Sequence, residues 1–144
     1  MNGKKGKAVP GKAVQREDEK RVRAPEQSLS RTPSWRFSTV DLNGPFAWPK
    51  SEQGELDILQ KLHGFDSMAW PEIEGPDHHA IDVGKLSGEA RKRLEQIGQD
   101  DISEVFSFHF SGKSRIIGIR DGSAVKLLWW DAEHQVCPSP KKHT

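Results

Sequence analysis

Residues 106–130, FSFHFSGKSRIIGIRDGSAVKLLWW, decide the fold of this 144-residue chain. Three Phe residues alternate with Ser107 and His109 at the start of this stretch, which is typical of a strand with one buried face. Gly112 and Gly122 follow Ser and Asp, and such pairs tolerate the positive φ of tight hairpin turns. The pattern predicts three strands in an antiparallel meander: 106–110, 115–120 and 124–130.

Two helices are predicted upstream of the meander. The first is expected to begin after the cap Ser51 and to end at Gly64, with leucines at helical spacing between them. The second is expected between the cap Ser87 and Gly98. Residues 66–81 contain Pro and Gly with clustered acids, which predicts a loop with a short turn.

The chain is expected to divide into a basic arm and one folded domain. Residues 1–34 contain nine Lys or Arg against four Asp or Glu and few large apolar side chains. Ordering them would cost conformational entropy that burial does not offset, so we expect a disordered arm. Aromatic and polar residues alternate from Trp35, which predicts a strand at the start of a single α+β domain, residues 35–144.

Composition limits the class of protein. After residue 34, thirteen Lys or Arg stand against seventeen Asp or Glu, so the domain is not a uniformly basic nucleic-acid binder. Cys137 is the single cysteine, which excludes an internal disulfide framework. No apolar run approaches the roughly 20 residues that cross a bilayer, and no secretory signal is recognisable. We expect a cytoplasmic protein without a membrane partner.

Three short motifs suggest chemistry, but none predicts a metal or a cofactor. Asp-His-His at 77–79 resembles the signature of a phosphoesterase family, yet the further acidic motifs of that family are missing, so a solvated loop is favoured. Cys137 and His134 have no evident orienting group for thiol catalysis apart from the nearby Asp131 and Glu133, so an inert cysteine is favoured. Ser-Gly-Lys-Ser at 111–114 lacks the first glycine of a phosphate-binding loop.

Cationic and imidazole side chains collect on the meander. From residue 107 to the end, six Lys or Arg stand against three Asp or Glu, in a domain that is acidic elsewhere. Such residues are common on hairpin edges, where they favour solubility, and they equally suit a phosphate-binding face. The set consists of His109, Lys113, Arg115, Arg120, Lys126, His134, Lys141, Lys142 and His143.

Two runs in the last third resemble the RelE/ParE-type toxin superfamily. In EVFSFHFSGKSRIIGIRDG at 104–122, a strand leads through a short turn into an arginine followed by apolar residues, and LLWWDAEH at 127–134 is similar to the family's closing strand. The preceding pair of helices fits the same order of elements. The resemblance implies a compact α+β domain. In the ribonuclease branch, it implies metal-independent cleavage of messenger RNA at the ribosome and neutralisation by a cognate antitoxin.

The same resemblance implies a set of site residues. Arg115 matches the meander arginine of the family and is expected to clamp the phosphate, because a guanidinium makes two parallel hydrogen bonds to it. His109 or His134 would move the proton, since an imidazole titrates near neutral pH. The cations expected to bind RNA are Lys113, Arg120 and Lys126.

Two other functions compete with the ribonuclease. One is a noncatalytic module whose basic arm binds an acidic or nucleic-acid partner, with the sheet as its platform. The other is an accessory protein of a phage or mobile element with neither property. Loss of toxicity on Arg115→Ala without loss of folding would favour the ribonuclease, whereas binding that depends on the arm and on salt would favour the binding module.

Overall fold

The computed structural model describes residues 31–138. Most of the arm expected at residues 1–34 therefore lies outside the described residues. The same holds for the basic C-terminal end, which includes Lys141, Lys142 and His143.

The described chain is an α+β fold built on one five-stranded mixed sheet. The sheet has the order β1-β5-β4-β3-β2, in which β1 pairs parallel to β5 and every other pair is antiparallel. No helix within the described residues is long and apolar enough to cross a membrane. The elements are β1 (Ser34–Arg36), α1 (Glu52–Phe65), α2 (Trp70–Ile73), β2 (His78–Asp82), a 3₁₀ turn (Val83–Lys85), α3 (Gly88–Gln96), β3 (Glu104–Ser111), β4 (Ser114–Asp121) and β5 (Ala124–Asp131).

Strands β3, β4 and β5 follow one another as antiparallel neighbours, close to the three predicted segments. Gly112 and Gly122 lie in the two connecting turns with φ of +54° and +66°. These are left-handed values that glycine adopts without the steric cost of a Cβ. Local turn chemistry therefore determines where this part of the sheet reverses.

The two main helices begin where their caps predicted. The hydroxyl of Ser51 accepts from the N–H of Gly54 at 3.0 Å, and that of Ser87 accepts from the N–H of Ala90 at 3.1 Å. Gly98 follows α3 with φ of +71°, as a helix-ending glycine does. Helix α1 ends at Phe65, one residue after the predicted stop.

The prediction of a loop over residues 66–81 is wrong, because this segment contains α2 and most of β2. Trp70 is fully buried, and the Glu72 carboxylate caps α2 by accepting from the N–H of Ala69 at 2.9 Å. Strand β2 pairs antiparallel with β3 along its whole length. Its sequence, HHAID, lacks an apolar alternation because β2 is an edge strand, and its pairing partner lies more than 20 residues away in the chain.

The alternation from Trp35 predicts a first strand that continues until Asn43, Gly44 and Pro45 break it, but the strand ends at Arg36, where the chain turns. The N–H of Val40 donates to the Phe37 carbonyl at 3.1 Å, and the chain then buries the Asp41 carboxylate. Arg93 on α3 donates two hydrogen bonds to it at 2.8 Å, and the indole N–H of Trp129 donates a third at 2.9 Å. Asp41 thereby joins α3 to the sheet.

The core lies on both faces of the sheet. One face, with Phe106 and Phe108, packs against α1 and α2. The other, with Ile117 and Trp129, packs against α3. A bulge at Leu128 shifts the register of β5 against β4. Helix α3 covers only part of this second face of the sheet. Over the rest of that face, polar side chains line an open cleft.

Candidate functional site

A polar cleft of about 590 Å³ lies on the α3 face of the sheet. Strands β2, β3 and β4 contribute its floor, and the chain after β2 and after β5 contributes its walls. All three residues expected to be catalytic line this cleft, although they come from three separate segments. These residues are His109 on β3, Arg115 on β4 and His134 after β5.

His109 and Arg115 are direct cross-strand partners in the β3–β4 pair. His109 lies on the opposite side of β3 from the buried Phe106 and Phe108, as the alternation predicted. Its Nε2 is 3.2 Å from the carbonyl oxygen of Gly112. A carbonyl only accepts, so this nitrogen carries a hydrogen and Nδ1 is the unprotonated nitrogen of the neutral ring.

The Arg115 guanidinium is oriented by the same turn. Its Nη1 donates to the Gly112 carbonyl at 2.8 Å and to the Ser114 carbonyl at 3.0 Å. Within residues 31–138, its Nε–H and Nη2–H groups have no hydrogen-bond partner. That unoccupied edge has the fork geometry with which arginine binds two oxygens of a phosphate.

His78 fixes the backbone on which His109 is placed. The N–H of His109 donates to the Nδ1 of His78 at 3.1 Å, so that nitrogen is unprotonated. The His78 ring packs against Phe65 with a centroid distance of 4.8 Å. Burial, and to a lesser extent the charge of Lys61, lowers the pKa of His78, which favours this neutral form.

His134 is held in the cleft by the loop that follows β5. It has φ of +59° and is the one non-glycine residue with positive φ among residues 31–138. The buried Asp131 carboxylate fixes this loop by accepting from the N–H groups of Gln135 and Val136 at 2.8 and 2.9 Å. A left-handed residue persists where its surroundings hold it in place, and such residues cluster at functional sites.

The environment of His134 favours its neutral form. Burial lowers its pKa, the positive charge of Arg115 lowers it further, and Asp131 offsets part of the effect. The net pKa is below the ordinary value for imidazole, so His134 is a proton acceptor at neutral pH.

Arg115 lies beside His109 in the β3–β4 register and close enough to His134 for its charge to act on that imidazole. His109 is on β3, Arg115 on β4, and His134 follows β5, whose Asp131 is the cross-strand partner of Arg115. This arrangement offers an anion-binding fork and two imidazoles in one cleft. It is suited to proton transfer to and from a bound phosphodiester.

The cations expected to bind RNA lie outside the cleft. The Arg120 guanidinium is on the opposite face, 3.7 Å from the centroid of the Trp70 ring, and donates to Glu74 at 2.9 Å. Lys113 is exposed in the β3–β4 turn with its Nζ 3.6 Å from Glu133 Oε1. Lys126 pairs with Ile119 and Arg36 along β5. Arg120 is a packing residue, because its charge is paired with the Glu74 carboxylate and its planar face stacks on the Trp70 ring.

Sequence reasoning missed Ser107 as a residue of the cleft and assigned His79 to a solvated loop, although it lies on β2. His79 and Ser107 are cross-strand partners on the floor of the cleft. Alternation along β3 places Ser107 on the same side as His109, which was the available signal. No local signal could place His79, because its position depends on the pairing of β2 with β3. Within residues 31–138, no three His, Cys, Asp or Glu side chains are grouped so that they could hold a metal ion.

Comparisons with known proteins add no relative. No family model, curated protein or solved structure matches this chain. The likeness to the RelE/ParE-type superfamily therefore rests on the residues quoted above. The cleft and its chemistry are the basis for a function.

Proposed function

We propose that this protein is a toxin-like endoribonuclease that cleaves RNA without a metal ion. The observation that carries the proposal is that Arg115, His109 and His134, from three separate segments, line one cleft. The resemblance to the RelE/ParE-type superfamily extends the proposal to messenger RNA at the ribosome in the cytoplasm, and to neutralisation by a cognate antitoxin.

The proposed reaction begins with a phosphodiester on the open edge of Arg115. The Nε–H and Nη2–H groups would bind two non-bridging oxygens and stabilise the charge of the pentacovalent phosphate. The RNA supplies its own 2′-hydroxyl as the nucleophile, so the protein has to orient the reacting atoms and move two protons.

His134 is assigned as the base and His109 as the acid. Neutral His134 accepts the proton of the 2′-hydroxyl while the 2′-oxygen forms its bond to phosphorus. The bond from phosphorus to the 5′-oxygen breaks, and cationic His109 gives that oxygen a proton from Nδ1, because its Nε2–H is directed at Gly112. The products are a 2′,3′-cyclic phosphate and a free 5′-hydroxyl.

The first test combines expression in bacteria with cleavage of a labelled messenger RNA by purified protein, with and without ribosomes. We expect growth arrest, cleaved transcripts and cyclic phosphate ends, all lost in Arg115→Ala. Arg91→Ala is the matched control, because Arg91 is an exposed arginine on α3 that does not line the cleft. Activity should persist in a metal chelator, and a DNA oligonucleotide should remain intact because it lacks the 2′-hydroxyl.

Intact RNA and normal growth with folded wild-type protein would reject the ribonuclease. Salt-dependent RNA binding without cleavage would then favour the noncatalytic binding module. Equal loss of activity in Arg115→Ala and Arg91→Ala would place the chemistry elsewhere.

A further inference from the structure

A side chain holds the beginning of β2 to β3 where a main-chain group would ordinarily serve. Pairing with β3 begins at His78, which lies opposite Phe108. One step farther in the antiparallel register, Asp77 would lie opposite His109, and its carbonyl oxygen would accept the His109 N–H. The strand begins only at His78, and this N–H donates instead to the Nδ1 of His78 at 3.1 Å. The imidazole therefore takes the place of the next acceptor in the β2–β3 ladder.

This hydrogen bond fixes a part of β3 that is irregular on its other side. The register of β3 against β4 shifts between His109 and Ser111, although His109 itself pairs with Arg115. On the β2 side, the main chain at His109 is held by the bond to His78. The His78 ring thus fixes, from the edge of the sheet, the backbone that directs the His109 side chain into the cleft.

The bond exists in only one protonation state of His78. An imidazole nitrogen accepts a hydrogen bond only when it carries no hydrogen, and both ring nitrogens of a histidinium are donors. Protonated His78 would direct an N–H from Nδ1 at the N–H of His109. Two donors cannot share a hydrogen bond, so protonation breaks this contact.

The surroundings of His78 determine the pH at which this happens. Burial is the largest cause that lowers its pKa, and the charge of Lys61 on α1 lowers it further. His109 and His79 act in the same direction, whereas the Asp77 carboxylate raises the pKa. The net pKa of His78 lies below the ordinary imidazole value, so the bond to His109 is intact at neutral pH.

We propose that His78 is a positioning residue for His109, and that protonation of His78 releases the beginning of β2 from β3. Acid favours the released state, because the ring is solvated there and binds a proton more readily than when it packs against Phe65. The consequence for catalysis rests on the proposed function, since it assigns His109 as the acid. The release itself is a property of the fold and is measured without RNA.

Amide hydrogen exchange, followed by NMR between about pH 8 and about pH 5, measures the release directly. We expect the protection of the His109 amide to fall as the pH is lowered from the ordinary imidazole pKa to the lowered pKa of His78. The decrease should approach about tenfold per pH unit within that window. The protection of the Ile117 amide, in the central strand β4, should stay constant over the same range.

Two substitutions of His78 separate the acceptor from the charge. His78→Asn keeps an acceptor close to the position of Nδ1 but does not titrate, so the protection of the His109 amide should not depend on pH. His78→Leu keeps an apolar contact with Phe65 but has no acceptor. Its His109 amide should be about tenfold less protected than that of the wild type at neutral pH.

Two further variants test the cause of the pH dependence. Lys61→Gln removes a charge that lowers the pKa of His78, so the loss of protection should begin at a higher pH. His63→Asn is the matched control, because His63 is an exposed histidine in the last turn of α1, and it should keep the wild-type behaviour. Tryptophan fluorescence verifies that each variant is folded. Should His78→Leu not fold, His78→Asn and Lys61→Gln still decide the question.

Two results of the exchange experiment would overturn the proposal. One is protection of the His109 amide in the wild type that does not change with pH. The other is a pH-dependent loss of protection that is equal in the wild type and in His78→Asn.

A cleavage assay at neutral pH separates this inference from the proposed function. His78→Leu should cleave RNA at least about tenfold more slowly than the wild type, and His78→Asn should restore the rate. A His109 amide that responds to pH through His78 in a protein that does not cleave RNA would support the release and reject the ribonuclease. Equal cleavage by His78→Leu and the wild type would reject the positioning role and leave the ribonuclease standing.

Discussion

His109 and Arg115 share one hydrogen-bond acceptor, the carbonyl oxygen of Gly112, at 3.2 Å from Nε2 and 2.8 Å from Nη1. A single peptide group in the β3–β4 turn thus orients both the proposed acid and the proposed phosphate ligand. The turn depends on the left-handed conformation of Gly112. The geometry of the proposed site is therefore sensitive to a residue that has no side chain.

Gly112→Ala is expected to impair cleavage more than it impairs folding. No described atom lies within 4 Å of a Cβ built at Gly112 or at Gly122, so only the backbone strain matters at either position. That strain should lower the free energy of unfolding by about 1–2 kcal/mol in both variants. Only Gly112→Ala should also lower the cleavage rate, measured beside urea unfolding. Equal cleavage rates in the two folded variants would refute a positioning role for Gly112.

The Asp41 carboxylate predicts a pH-dependent loss of stability. Burial raises the pKa of Asp41, but the hydrogen bonds from Arg93 and Trp129 outweigh this effect, so the pKa lies below its ordinary value. A lowered carboxylate pKa stabilises the fold above the unfolded pKa of about 4, and this contribution is lost as the pH falls through the folded pKa.

Asp41→Asn should therefore lower the free energy of unfolding at pH 7 by about 2–3 kcal/mol, because Arg93 then lacks its charged partner but stays partly exposed. The difference from wild type should shrink under acidic conditions. Urea unfolding at several pH values measures both effects, with the exposed Asp100→Asn as the control. A constant difference down to the lowest pH would contradict this account.

His134 and Arg115 predict a coupling that needs no activity to detect. Because the charge of Arg115 contributes to lowering the pKa of His134, Arg115→Gln should raise that pKa toward its ordinary value. An NMR titration of the His134 ring proton measures this directly, and Arg91→Gln should leave the titration unchanged. In the proposed reaction the base works when neutral, so the cleavage rate of the wild type should decrease as the pH is lowered. The midpoint of that decrease should lie below the ordinary pKa of imidazole. If the pKa of His134 were the same in Arg115→Gln as in the wild type, the predicted coupling between the two side chains would be wrong.

The sequence predicts those parts of the fold that are determined by residues close together in the chain, such as strand alternation and turn residues. Alternation along residues 106–110 is enough to place His109 on the face opposite the Phe rings. Its pairing with Arg115 is seen only in the structure, because the register shifts between His109 and Ser111. The parity of the strand also carries information, because Arg115 and Arg120 are five residues apart and so lie on opposite faces of β4. The position of His79 has no comparable local signal, since it depends on an edge strand that pairs across a long stretch of chain. The position of His134 depends on the Asp131 carboxylate, whose backbone partners are recognisable only in the folded loop.

Arg120 provides the last prediction, because its location separates a packing role from RNA binding. Its guanidinium stacks on Trp70 at 3.7 Å and donates to Glu74, on the face of the sheet opposite the cleft. Arg120→Ala should lower the free energy of unfolding by about 1–2 kcal/mol through the loss of this stacking. The rate of RNA cleavage per folded molecule should stay at the wild-type value. Lys126→Ala, which removes another meander cation without such a contact, should leave stability nearly unchanged. If Arg120→Ala reduced RNA affinity at full stability, the packing assignment would fail, and the RNA path would have to cross to the α1 and α2 side of the sheet.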